Sequence, residues 1–167
     1  MDRRKISSLH TEVKIATFSK IPFVLQGVDG KALRGDVRTA GDGSGRPAIV
    51  IAHGFKGFKE WGFFPFLADR IARAGFTAVS FNFSGSGVGE DGESFSEPER
   101  FSRNTYSNQV ADLAIVTTAL SYKTLIGGLA VPTALGLVGH SMGGAACALY
   151  VARHSDVAAL VTWSGIG

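Results

Sequence analysis

One serine lies in a sequence context that favours nucleophilic chemistry. Residues 139–143 read GHSMG, a G-x-S-x-G pattern between an apolar run, Ala134–Val138, and an alanine-rich segment, Met142–His154. A serine at a tight turn from a buried strand into a helix is held out of the path of the chain, and glycines tolerate the strained backbone there. A lone G-x-S-x-G is a weak signal. Its place between a strand and a helix predicts a nucleophile elbow at Ser141, with an incidental glycine turn as the alternative.

Acyl transfer by a serine also requires a base and hydrogen-bond donors aimed at the developing oxyanion. We expect one donor to be the backbone N–H of Met142, at the start of the helix after the serine. A second is expected in the loop after the apolar run Ala48–Ala52, where Gly54 lets the backbone approach a substrate and leaves the N–H of Phe55 free to donate. His53 in the same loop is interpreted as a structural imidazole that braces the loop, in preference to a catalytic role.

The elements that must position these groups alternate between extended and helical patterns. Strands that alternate with helices predict a single α/β domain over residues 1–167, with a mostly parallel sheet and an antiparallel amino-terminal edge. Residues 1–19 are interpreted as a tail or an edge strand, and residues 82–104 as a long loop on the active-site side. The predicted strands are Ile21–Val28 and Lys31–Thr39, joined by a two-residue turn at Asp29-Gly30, then Ala48–Ala52, Phe76–Phe81, Ala134–Val138 and Val157–Thr162; the predicted helices are Trp61–Ala74, Tyr106–Tyr122 and Met142–His154.

Composition excludes several classes of protein. The chain has 167 residues, of which 45% are hydrophobic and 19% charged, which is a globular balance. A net charge of +3 from scattered lysines and arginines argues against nucleic-acid binding. No run reaches membrane-spanning length and no secretory leader is apparent, so a cytoplasmic location is expected. The single cysteine, Cys147, is assigned to the core, and no metal site is predicted.

Three motifs resemble those of the α/β-hydrolase superfamily: the loop His53-Gly54-Phe55, the stretch NFSGSG at residues 82–87 and the stretch GHSMGG at residues 139–144. In relatives the middle stretch often reads aspartate-phenylalanine-arginine-glycine-x-glycine, from which Asn82 and Ser84 depart. The motifs are similar to those of the serine esterase, lysophospholipase and dienelactone-hydrolase-like group, and the resemblance covers nearly the whole chain. It implies a serine hydrolase of esters, thioesters or amides that takes a small-molecule acyl substrate and needs no metal or organic cofactor.

Relatives carry the acid and the histidine of the catalytic triad after the serine, where this chain offers only His154 and Asp156. His154 lies at the far end of the predicted helix, about 20 Å from Ser141 at about 1.5 Å per residue, whereas proton transfer needs about 3 Å. The same distance argument removes Asp156, and His140 is expected to point to the other side of the elbow. We therefore expect the chain to end before its acid and base, with the sheet truncated after the strand Val157–Thr162.

A truncated sheet has consequences for stability and function. The strand Val157–Thr162 becomes an apolar edge beside an exposed apolar patch, which natural sheets avoid. The sequence thus predicts a fragment, or one half of a two-chain assembly, that self-associates through this edge and is nearly inactive alone. Two functions stay open. One is a serine hydrolase that, in its complete form, acts through an acyl-enzyme on Ser141; the other is a non-catalytic ligand-binding or partner-dependent module that kept the elbow and lost the triad.

Overall fold

The computed structural model describes residues 18–165, and this part of the chain contains six strands and four α-helices. Every strand and helix predicted from the sequence is present, with ends that differ by a few residues. In chain order the elements are β1 (Phe18–Gln26), β2 (Ala32–Ala40), β3 (Ala48–Ala52), α1 (Phe64–Arg73), β4 (Thr77–Phe81), α2 (Pro98–Ser102), α3 (Tyr106–Ser121), β5 (Leu135–His140), α4 (Met142–Val151) and β6 (Val157–Trp163).

The six strands form one sheet in the order β1-β2-β4-β3-β5-β6. Strands β4, β3, β5 and β6 run parallel to one another, while β1 pairs antiparallel with β2 and β2 antiparallel with β4. This confirms the predicted mostly parallel sheet with an antiparallel amino-terminal edge. Because β3 lies between β4 and β5, the loops that leave the carboxyl ends of these three strands meet at one edge, where open α/β sheets bind ligands.

Both faces of the central strand β3 are buried, as its unbroken apolar sequence predicts. Ala48, Val50 and Ala52 belong to the larger core, which the sheet shares with α3 and α4, and Ile51 belongs to a smaller core under α1. Cys147 on α4 is fully buried in the larger core, in agreement with its predicted place, and burial raises the pKa of its thiol to about 12. The sheet therefore holds its carboxyl edge rigidly between helices.

The turn between β1 and β2 differs from the two-residue hairpin predicted at Asp29-Gly30. The strands stop pairing earlier, and residues 27–31 form the connection, with a short 3-10 turn inside it. The cause is a tertiary contact: the backbone N–H of Val28 donates to the carboxylate of Asp112 on α3 at 3.2 Å. A partner distant in the sequence therefore lengthens the turn beyond what the local Asp-Gly signal predicts.

The segment 82–104 was predicted to be a long loop, but it contains the short helix α2 and folds back on itself. Val88 and Phe95 form an isolated antiparallel bridge, and the ring of Phe95 packs so closely on Gly87 that a side chain there would overlap with it. Pro98 opens the helix in its first turn, a position where a missing N–H costs nothing. This segment is therefore a packed flank of the sheet's carboxyl edge.

Strand β6 forms the predicted apolar edge. Within residues 18–165 it pairs only with β5, its sequence VAALVTW carries no charge, and the side chains of Val161 and Trp163 are 55% and 53% exposed. Strand β6 is thus one edge of the sheet formed by the described residues. No helix in the described range is both long enough and apolar enough to cross a lipid bilayer.

Candidate active site

Ser141 occupies a strained turn between β5 and α4. Its backbone angles, φ 52° and ψ −121°, lie in a region that residues other than glycine rarely adopt. Hydrogen bonds on both sides hold this conformation: the N–H of Ser141 donates to the carbonyl oxygen of Trp163 at 2.9 Å, and the N–H of Gly144 donates to the carbonyl oxygen of Ser141 at 2.9 Å. The surrounding hydrogen bonds thus stabilise a strained serine turn between a strand and a helix.

Close backbone approach explains the glycines of the elbow. A Cβ atom at Gly139 would lie 2.5 Å from the carbonyl oxygen of Gly143, and one at Gly143 would overlap with the carbonyl oxygens of Ala52 and His53. A side chain at Gly139 would push α4 away from β5, and one at Gly143 would push α4 away from the end of β3. Gly143 therefore brings the serine turn directly against the loop that leaves β3.

The second predicted oxyanion donor, the backbone N–H of Phe55, belongs to that loop. A Cβ atom at Gly54 would lie 3.0 Å from the Cβ of Ser141, so this stretch of backbone lies beside the serine. Phe55 follows it with a side chain that is 62% exposed. Among the described residues, no acceptor takes a hydrogen bond from the backbone N–H of Phe55 or of Met142. Both N–H groups predicted as donors are thus free in the neighbourhood of the serine.

His53 braces this loop, in agreement with the structural role predicted for it. Its imidazole is buried; Nδ1 lies 2.9 Å from the carbonyl oxygen of Gly54, and Nε2 accepts from the N–H of Phe83 at 3.2 Å. Because Nε2 accepts, Nδ1 must hold the proton and donate to Gly54. Burial lowers the pKa of His53 to about 4, so the ring is neutral and fixed in one tautomer.

The other described histidines make contacts with aromatic rings. The ring of His140 makes edge-to-face contacts with Phe63 and Phe64 at centroid distances of 5.4 and 5.9 Å. His154 stacks on Tyr150 at 3.9 Å near the far end of α4. Across residues 18–165, no hydrogen bond or ion pair joins a histidine to a carboxylate, and none joins a histidine to the hydroxyl of Ser141. Within the described residues, the predicted nucleophile Ser141 therefore has no histidine hydrogen-bonded to its hydroxyl.

One supporting residue was missed by the reasoning from sequence. Asp112 on α3 is buried, and its carboxylate accepts from the backbone N–H groups of Ser84 at 2.8 Å and Val28 at 3.2 Å. Burial raises the pKa of Asp112, an effect that these hydrogen bonds partly oppose. The carboxylate of Asp112 thereby links the segment after β4 to the turn after β1. The available signal was an acidic residue that directly precedes Leu113 within the predicted helix Tyr106–Tyr122.

Asn82, which departs from the aspartate common in relatives, also has a structural role. Its side-chain oxygen accepts from the backbone N–H of Lys59 at 2.6 Å, and its amide nitrogen donates to the carbonyl oxygen of Gly92 at 3.0 Å. The Lys59 ammonium in turn donates to the buried carboxylate of Asp36 at 2.7 Å. These contacts fix the chain between the loop at Phe55 and α1. The departure therefore preserves the shape of the site.

A charged cluster completes this support. Glu60 receives hydrogen bonds from Lys20 and Lys59, each at 2.9 Å. Burial alone would raise the pKa of Glu60, but these two bonds outweigh it and lower the pKa to about 2. Arg38, buried on β2, pairs with Asp69 of α1 at 2.9 Å. In the described part of the chain, no group of three or more histidine, cysteine or acidic side chains is arranged to hold a metal ion.

A known protein family matches most of the chain. Residues 43–166 match the family described as serine aminopeptidase, S33. Curated protein sequences contain no match to the chain.

Solved structures share the fold. DcsB in complex with its substrate analogue is 26% identical with a TM-score of 0.67, and the match covers 90% of this chain and 45% of DcsB. A cold-adapted esterase from an Arctic intertidal metagenomic library is 19% identical with a TM-score of 0.68, covering 96% of this chain and 62% of the esterase. A dienelactone hydrolase from Anabaena variabilis is 18% identical with a TM-score of 0.68, covering 89% of this chain and 64% of that enzyme.

The chain thus spans between 45% and 64% of the length of these three structures. The esterase and the dienelactone hydrolase, at 19% and 18% identity, show only that the fold is shared. The family match rests on the sequence itself and includes both the loop after β3 and the turn at Ser141. From that match and the strand order, the chain belongs to the serine aminopeptidase S33 family of the α/β-hydrolase superfamily.

Proposed function

We propose that the protein is a serine hydrolase that cleaves carboxylic ester, thioester or amide bonds through an acyl-enzyme on Ser141. The observation that carries this proposal is the strained backbone of Ser141, with φ 52° and ψ −121°, held at the start of α4. Strain of this kind costs on the order of 1–3 kcal/mol and is concentrated at functional sites. A serine needed only for a turn would gain nothing from it, since glycine would form the same turn without strain.

The proposed reaction begins with attack of the Ser141 hydroxyl oxygen on the substrate's carbonyl carbon. The developing oxyanion accepts hydrogen bonds from the backbone N–H groups of Met142 and Phe55, which donate to no other acceptor among the described residues. The base takes the hydroxyl proton during the attack and gives it to the departing alcohol, thiol or amine as the tetrahedral intermediate collapses, and water then releases the acid. A single oxyanion donor is worth about 10²–10³ in rate, so two free N–H groups beside the serine are a substantial part of such a catalyst.

Full turnover needs a base as well. The described residues bring no histidine to the hydroxyl of Ser141, so we propose that the base and its acid partner come from outside them. Serine enzymes deprived of triad members retain about 10³–10⁴-fold catalysis over water through the oxyanion site and binding. The 167-residue chain is therefore expected to acylate slowly with an activated ester.

Acylation of the chain by p-nitrophenyl acetate tests the proposal. Intact-mass and peptide mass spectrometry should find one acetyl group on Ser141, and Ser141→Ala should abolish it. Ser164→Ala is the matched control, because Ser164 also has a positive φ, 49°, but does not begin a helix. Acetylation that is unchanged in Ser141→Ala, or that falls equally on Ser164, would contradict the proposal.

The second candidate is a non-catalytic ligand-binding or partner-dependent module. It is favoured by the engagement of His53 and His140 in structural contacts, which leaves Ser141 without a described base. In that case a small ester would bind, no acetyl group would transfer to Ser141, and Ser141→Ala would bind the ester as the unmodified chain does. Equilibrium binding measured beside the acylation assay separates the two functions.

A further inference from the structure

Aromatic side chains gather on one flank of the elbow. The ring of Phe63, just before α1, lies 4.7 Å from the ring of Trp163 and 5.4 Å from that of His140, measured between centroids. Trp163 is the last residue of β6 and pairs with His140, the last residue of β5. We call these three residues, Phe63, His140 and Trp163, the aromatic wall.

The aromatic wall is fixed relative to the serine by the backbone. The carbonyl oxygen of Trp163 accepts from the N–H of Ser141 at 2.9 Å, and His140 precedes Ser141 in the chain. On the other side, a Cβ atom at Gly54 would lie 3.1 Å from Nδ1 of His140 and 3.0 Å from the Cβ of Ser141. The wall and the loop at Phe55 therefore converge on the same serine.

Exposure separates Trp163 from the neighbouring core aromatic residue Phe64. Phe64, which also contacts Phe63 and His140, is only 1% exposed and packs in the core under α1. The side chain of Trp163 is 53% exposed, and those of Phe63 and His140 are half-buried. About half of the surface of Trp163 is thus not used for packing within residues 18–165 and is open to a ligand there.

We propose that the aromatic wall binds an aromatic ring of the substrate beside the scissile carbonyl, and that Trp163 and Phe63 set a preference for aromatic over small aliphatic esters. The proposal rests on the proposed hydrolase function and names its substrate class. Aromatic rings attract one another in offset or edge-to-face arrangements at centroid distances of 4.5–7 Å, the spacing already present within the wall. A substrate ring would add one more member to this cluster.

Binding without chemistry is the first test. Ligand-observed NMR titrations of the full chain carrying Ser141→Ala should show benzamide binding with roughly tenfold higher affinity than acetamide. Trp163→Leu and Phe63→Leu, which keep apolar volume but remove a ring, should each reduce that preference several-fold. Phe66→Leu is the matched control, because Phe66 is a 69% exposed aromatic residue on α1 outside the wall. Equal affinity for the two amides, or equal loss in the Phe66 variant, would overturn the proposal.

Acylation is the second test, and it identifies which part of the ester carries the ring. With intact Ser141, p-nitrophenyl esters share one leaving group, so a faster transfer of benzoyl than of acetyl groups places the ring in the acyl part. A faster reaction of phenyl acetate than of an ethyl ester of matched reactivity places it in the alcohol part. Failure of every ester to acylate Ser141, with benzamide still bound through Trp163, contradicts the hydrolase function alone. Acylation without any aromatic preference contradicts the wall alone.

Discussion

The backbone N–H of Ser141 donates to the carbonyl oxygen of Trp163 at 2.9 Å. This bond joins the turn at the end of β5 to the end of β6, two points separated in the chain by all of α4. It stabilises a serine whose φ of 52° would otherwise relax. Strand β6 is therefore part of the candidate active site, because it holds the strained turn as well as extending the sheet.

Close backbone contact makes Gly143 sensitive to any side chain. We expect Gly143→Ala to destabilise the protein by about 3 kcal/mol, since the new methyl group would overlap with the carbonyl oxygens of His53 and Ala52. Gly127→Ala is the control, because a Cβ atom there meets nothing within 4 Å, and its effect should stay within about 0.5 kcal/mol. Urea unfolding followed by circular dichroism measures both variants. Equal midpoints would show that α4 moves away freely.

Burial of His53 predicts a pH dependence of stability. Its folded pKa is lowered from 6.5 to about 4, so between these values the unfolded chain binds the proton and the folded chain does not. The stabilisation is complete above pH 6.5 and is lost as the pH falls towards 4, by an amount on the order of 3 kcal/mol. We expect the His53→Gln variant to be less stable at neutral pH, and its free energy of unfolding to change less between pH 6.5 and pH 4. Unfolding free energies at a series of pH values check it, and parallel curves for the two chains would refute it.

The buried carboxylate of Asp112 should contribute strongly to stability. Asp112→Ala leaves the N–H groups of Val28 and Ser84 without their acceptor, and we expect a loss of about 3 kcal/mol. Asp91→Ala is a close match, since Asp91 also accepts two backbone N–H groups, at 3.0 and 2.9 Å, but in an exposed loop where water can replace it. Thermal unfolding of the two variants decides the matter: similar losses would mean that burial does not set the cost.

Self-association through the β6 edge is our remaining proposal. Val161→Lys places a charge on an edge strand that has none, and we expect it to shift the chain towards the monomer in sedimentation-velocity experiments. Val24→Lys is the control, because Val24 is a 63% exposed valine on β1, the strand at the opposite edge of the sheet. An unchanged distribution in Val161→Lys, or the same shift in both variants, would exclude β6 as the contact.

Local patterns in the sequence were sufficient for the strands and helices and for the tight turn at Ser141. The run Ala48–Ala52 gave a strand with the predicted bounds, and the G-x-S-x-G turn at Ser141 has the strained geometry that its glycines permit. The Asp-Gly signal predicted the hairpin but not its length, because Asp112 draws Val28 towards α3. Short-range sterics and the burial of apolar side chains determine these features, so neighbouring residues contain the information.

The tertiary structure alone decided which distant groups support the serine. The role of Asp112 and the pairing of Lys59 with Asp36 were not predicted, because each depends on partners far away in the chain. The short helix α2 within residues 82–104 was not predicted either. The place of Trp163 beside Ser141 is of the same kind, since it follows from the register of β6 on β5. The sequence by itself determined a mostly parallel sheet with a strained serine turn between a strand and a helix. Strand register and side-chain packing, which act between distant residues, decided what surrounds that turn.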